Sequence, residues 1–94
     1  MKPTVGRIVH YTLAPEDLDE KHQHQVGRIR PAVIVETHGN EKFGAFQCGS
    51  AVNLQVFRDG SNDGPHGGLF WKTSVLFTEH PTDLGMWSWP PRAD

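Results

Sequence analysis

Apolar and polar residues alternate in short runs along this chain, and the runs predict strands joined by tight turns. The clearest is Ala51 to Arg58, where Val52, Leu54 and Val56 alternate with Asn53, Gln55 and Phe57, which puts Phe57 on the polar face. Leu69 to Thr78 alternates again, with Leu69, Trp71, Thr73, Val75 and Phe77 on one side. Arg30 to His38 holds a continuous apolar run from Ala32 to Val35, the pattern of a strand covered on both faces, and Pro31 stands where a strand begins. That strand is expected to be central. Thr4 to Leu13 reads as a first strand through Val5, Ile8, Val9 and Tyr11. Its buried face stays open, because Val5, Val9 and Tyr11 would carry Arg7 inward while the opposite face holds Ile8 and His10. Gly39-Asn40 marks a turn, and Phe43 to Cys48 reads as a further short strand in which Gly44 permits a bend.

The connecting segments differ in kind. Ala14 to Gln25 has one large apolar residue, Leu18, and so cannot offer a core-facing helical stripe; it is expected to be an exposed loop. Asp59 to Gly68 is almost pure turn chemistry and reads as the long loop of a hairpin. Val5-Gly6-Arg7-Ile8 recurs as Val26-Gly27-Arg28-Ile29, and since nothing similar follows at the same interval, chance is the better reading of the repeat. The tail closes with Trp87-Ser88-Trp89-Pro90-Pro91-Arg92; if it is extended, both indoles point to one face.

Composition narrows the picture. A chain of 94 residues with 36% hydrophobic content has room for one core, so a single domain is expected over 1–94. Ten Gly and seven Pro suit short strands and turns better than helices, whose interiors both weaken. The expected fold is all-β: a small SH3-like barrel of about five strands, which closes a sheet with little chain. With nine Lys and Arg against eleven Asp and Glu and no basic block, bulk nucleic-acid and acidic-membrane binding are not expected. There is no apolar run long enough for a membrane span and no secretory core near Met1, so the chain reads as cytoplasmic. Cys48 is the lone cysteine, which excludes an internal disulfide and multi-thiolate zinc sites.

Candidate chemistry is sparse. Asp59-Gly60-Ser61-Asn62-Asp63-Gly64 resembles the first half of a calcium loop, but its twelfth position is Phe70 where a carboxylate is needed. His22-Gln23-His24 with Asp19 or Glu20 could ligate a metal weakly; a solvated loop is the better reading. The serines at 50, 61, 74 and 88 lack a nucleophile-elbow setting, so no enzyme, cofactor or metal is expected. The most suggestive binding feature is aromatic: Trp87 and Trp89 could stack on a nucleobase, with Arg92 pairing a phosphate. The expected ligand contacts are these three with Phe57, Tyr11 and, from the glycine-rich loop, His66, Gly67 and Gly68. Completion of a small core by the two tryptophans is the simpler reading from the residues alone.

Val5-Gly6-Arg7-Ile8-Val9-His10-Tyr11, Arg30 to Val35, Asn53 to Phe57 and Trp87 to Arg92 together make the chain similar to a family of short phage and actinobacterial proteins. The family has no established active site. The resemblance implies a phage-type setting, where small non-catalytic proteins include sponges that sequester nucleotide immune signals in the host cytoplasm. The leading expectation is therefore a homo-oligomeric binding protein for a small anionic nucleotide-like ligand. The alternative is a structural or protein-interaction module that meets a host or virion protein through Phe57 and the tryptophans.

Overall fold

Five antiparallel strands form one curled sheet in the order β4-β3-β2-β1-β5. They are β1 (Ile8–Thr12), β2 (Ile29–Thr37), β3 (Ala51–Phe57), β4 (Leu69–Leu76) and β5 (Trp87–Ser88). The computed structural model describes residues 3–38, 51–64 and 68–91. Just beyond β4 the chain reaches the far edge of the sheet: Phe77 bridges Trp87 in parallel, and Thr78 N donates to Trp87 O at 2.9 Å. The two edges thus meet, giving the small all-β, SH3-like arrangement of five strands that composition and patterning suggested. The strand expected over Phe43–Cys48 lies outside the described residues, as does the Gly39-Asn40 turn. Trp87–Ser88, in the tail, supplies the fifth strand. No helix among the described residues is long and apolar enough to cross a membrane.

Entry into β1 and β2 uses the same local device twice. Arg7 N donates to Thr4 O, and Arg28 N to Gln25 O, closing two four-residue turns with Gly6 and Gly27 at the third position. Their φ angles are +90° and +89°, and Val26 before Gly27 has φ −55° and ψ 133°, the dihedrals of a type II turn. Only glycine takes that third position without strain. The repeated Val-Gly-Arg-Ile is therefore a repeated turn that launches a strand each time, which corrects its reading as coincidence. The first turn also explains why β1 starts at Ile8 rather than Thr4.

Once β1 is placed, its open face resolves. Val9 and Tyr11 point inward with Ala32 and Ile34 of β2 and Val52, Leu54 and Val56 of β3, and Leu13, Leu18, Val75 and Trp87 complete the core. Ile8 and Arg7 are exposed and His10 is half-buried. β2 is central, paired with β1 and β3, and its ladder to β3 begins at Ala32, so the N–H that Pro31 lacks is not needed there.

Two expectations about patterning need correction. Segment 14–25 is not a plain exposed loop: it forms 3-10 turns at Pro15–Asp17 and Glu20–Gln25, and it buries Leu18 and Gln25. The alternation along β4 is broken rather than continuous. Val52 pairs with Val75 but Leu54 with Lys72, so β4 carries an extra residue at a bulge around Thr73 and Ser74. The bulge flips the inner face, leaving Leu69 and Trp71 exposed while Val75 is buried.

Candidate functional site

The two residues of β5 are sorted by the pleat. Trp87 lies opposite Tyr11 and is buried with it, whereas Ser88 lies opposite His10, on the other side of the sheet. Ser88, His10 and Ile29 of β2 floor an open cleft of about 460 Å³. Phe77, Pro81, Trp89 and Pro91 give it apolar walls, and Thr78 and Glu79 stand at its side. Hydrogen bonds hold the wall in place: Thr12 Oγ1 donates to Pro81 O at 2.7 Å, His80 N to Thr78 Oγ1 at 3.0 Å and Gly85 N to Thr12 O at 2.8 Å. Trp89 is fixed edge-on against Trp87, with ring centroids 5.1 Å apart and planes 86° apart, and Phe77 packs on Trp87 at 4.8 Å.

The polar groups of this cleft are few and distinct. Ser88 is only 4% exposed, and among the described residues its Oγ has no hydrogen-bond partner. An unpaired buried hydroxyl costs about 1–3 kcal/mol, and Ser88 Oγ has almost no surface open to the cleft. No hydrogen bond joins Ser88 Oγ to His10. Although Ser88, His10 and Glu79 share the cleft, they lack the nucleophile-to-base contact of an activated serine. The guanidinium carbon of Arg7 lies 6.0 Å from the Trp89 ring centroid, placing positive charge beside that indole.

The residues expected at a site from the sequence are dispersed. Trp89 lines the cleft. Trp87 and Tyr11 are core residues and offer no surface to a ligand, which corrects their assignment as contacts. Tyr11 donates its hydroxyl to Asp17 Oδ2 at 2.6 Å; burial first, and then the neighbouring carboxylate, push its phenol pKa far up, so it stays a neutral donor. Phe57 is exposed at the end of β3 and is not among the cleft residues. Gly68 is exposed with φ +75° and accepts from Arg58 N at 2.7 Å, closing the β3–β4 loop rather than the cleft. His66, Gly67 and Arg92 lie outside the described residues. The indoles do not form one flat platform, since one is interior and the other stands perpendicular to it.

The other candidate chemistry is absorbed by structure. Asp63, the last carboxylate of the calcium-like loop, is buried and accepts from Arg30 Nε at 2.5 Å, Arg30 Nη2 at 2.7 Å, Gln25 Nε2 at 3.1 Å and Asp59 N at 2.8 Å. The Arg30 hydrogen bonds hold its carboxyl down to about 2 in spite of burial. Asp19 accepts from Lys21 N and contacts His22 Nδ1, and the His22 contact lowers its pKa. Among the described residues no group of three His, Cys, Asp or Glu side chains is placed to hold a metal ion.

Sequence reasoning missed His10, Ile29, Phe77, Pro81 and Ser88 as cleft residues, because they come from four separate segments. One signal was available: in Trp-Ser-Trp, an extended chain that buries Trp87 must turn Ser88 to the opposite side, beside whatever β1 presents there. In comparisons with known proteins, the chain matches no family model, no curated protein and no solved structure.

Proposed function

We propose that the protein is a small non-catalytic binding module that captures a nucleotide-type ligand, its planar base in the Trp89 cleft and its anionic part toward Arg7. The observation that carries this reading is the Trp89 indole on the wall of a largely apolar cleft of about 460 Å³, with His10 at the floor and the Arg7 guanidinium beside the indole. A planar heterocycle with edge donors and acceptors suits such a site, because its faces need apolar walls and its edge needs one or two polar partners. The volume falls within the range of roughly 300–1,000 Å³ usual for small-molecule sites. Stacking on an indole such as Trp89 contributes about 1–3 kcal/mol per base. Arg7 places a cation beside that indole. In the phage-type setting implied by the sequence resemblance, capture without turnover amounts to sequestering a nucleotide signal of the host.

Thermal-shift and fluorescence titrations with AMP, cyclic di-AMP and ADP-ribose test the proposal. At least one should stabilise the wild type, and His10→Ala and Arg7→Ala should weaken its binding while leaving the fold intact. Chromatography of the ligand released on denaturation should return it unchanged. No stabilisation by any of the three, or recovery of a cleaved product, would contradict the reading.

A further inference from the structure

Glu79 puts a negative charge at the side of the cleft, where the neighbouring Thr78 N–H, bonded to Trp87 O at 2.9 Å, fixes the chain. The other polar side chains that line the cleft are His10, Thr78 and Ser88. Thr78 Oγ1 is committed to its own turn, donating to Asp83 Oδ2 at 2.5 Å and accepting from His80 N at 3.0 Å. Ser88 Oγ is all but closed off. Glu79 is exposed and His10 half-buried, and among the described residues no hydrogen bond or ion pair engages the Glu79 carboxylate. The polar edge of a ligand in this cleft therefore meets His10 and Glu79.

On the nucleotide reading of the cleft, on which this rests, we infer that Glu79 selects the base: its carboxylate accepts from the exocyclic amino group of adenine, and the cleft rejects hypoxanthine. Charge sets the direction in which the ligand lies. A phosphate is attracted to Arg7 beside Trp89 and repelled by Glu79, so the part of a nucleotide that faces Glu79 is the edge of the base remote from its phosphate. On adenine that edge carries the amino group beside a ring nitrogen. Hydrogen-bond chemistry then makes the choice. A neutral imidazole has one donor and one acceptor nitrogen, so His10 can serve the bare ring nitrogen of adenine or the ring N–H of hypoxanthine. An ionised carboxylate only accepts. Hypoxanthine has a carbonyl oxygen where adenine has its amino group, so two acceptors, one of them charged, would face each other at Glu79, and this mismatch excludes the wrong base.

Calorimetric titration of the full chain with AMP, cyclic di-AMP and ADP-ribose, each beside its hypoxanthine counterpart, tests the inference. The members of a pair share ribose and phosphates and differ only in the base. In every pair that binds, the adenine member should bind about ten-fold more tightly or better, as the loss of a hydrogen bond to a charged group implies. Glu79→Gln should reduce that ratio to about three-fold or less, because a carboxamide offers a donor as well as an acceptor. Glu79 is exposed, so the variant should fold as the wild type does, and a residue with a merely structural role would leave the ratio where it was. Equal or inverted affinities within a pair, or a ratio unchanged in Glu79→Gln, would overturn the inference and leave the cleft reading standing. Binding of no member of any pair would overturn both.

Discussion

Asn53 Oδ1 accepts a hydrogen bond from the backbone N–H of Ser74 at 2.9 Å, across the point where β4 carries one residue more than β3. Thr73 Oγ1 donates to the same oxygen at 3.0 Å and His38 Nε2 lies 2.8 Å from it. The side chain thus supplies the acceptor that the interrupted ladder lacks, and the bulge it holds decides which β4 residues face the core. Ser74 has φ +55°, a conformation that costs a β-branched residue about 1–2 kcal/mol.

Three substitutions separate these contributions. Asn53→Ala should destabilise by about 1–2 kcal/mol through the lost hydrogen bonds. Ser74→Val should cost about 1–2 kcal/mol from backbone strain, whereas Ser74→Gly should be neutral or mildly stabilising. Urea denaturation of the three variants checks both, and a Ser74→Val protein as stable as wild type would contradict the left-handed bulge.

Arg30 and Asp63 tie the start of β2 to the loop after β3, and the pair sets an acid limit on stability. Because the folded carboxyl titrates near 2 and the unfolded one near 3.8, the contribution is complete above about pH 4 and is lost as pH falls toward 2. Its size is on the order of 2 kcal/mol. Denaturant melts between pH 7 and 2 should show this loss, and Asp63→Asn should flatten it. Arg30→Ala should cost more at pH 7, about 3–5 kcal/mol, because it leaves a buried carboxylate unpaired.

The paired turns predict equal penalties at distant positions. No atom lies within 4 Å of a Cβ added at Gly6 or Gly27, so any cost of Gly→Ala is purely conformational. Each change should destabilise by about 1 kcal/mol, and the double variant by about twice that, since the sites are independent turns. A negligible effect at either site, read by thermal melts, would contradict the type II assignment.

Trp87 and Trp89 should behave differently although they are two residues apart. Trp87→Ala removes a fully buried side chain packed on Phe77 and should cost about 3–5 kcal/mol, enough to unfold a marginal small domain. Trp89→Phe keeps an aromatic wall and should fold, with ligand affinity reduced rather than abolished. A stable, folded Trp87→Ala protein would contradict the core assignment.

The fold was legible where one rule governs a residue's environment. Val52, Leu54 and Val56 alternate against a buried face with nothing interrupting them, and β3 follows the pattern. β4 does not, because its bulge depends on an acceptor from Asn53, some twenty residues earlier, that no local pattern reveals. Leu18 shows the same limit: a single apolar residue is too little for a helical stripe yet enough to pin a 3-10 segment onto the core. The repeated Val-Gly-Arg-Ile was visible, but its meaning lay in the φ of its glycines. The cleft was the least legible feature, since His10, Ile29, Phe77 and Ser88 become neighbours only when β5 pairs with β1 and the edges of the sheet meet. Trp89 alone was identifiable beforehand, as one of two tail tryptophans that could stack on a base.

The cleft reading is tested most directly by ¹H–¹⁵N correlation spectra recorded while AMP, cyclic di-AMP or ADP-ribose is titrated into the protein. The account predicts saturable shifts for at least one of them at the Trp89 indole N–H and at the amides of His10, Ile29, Phe77 and Ser88, with Leu69 and Trp71 unaffected. Unchanged spectra with all three ligands, or shifts confined to Phe57, Leu69 and Trp71, would contradict it.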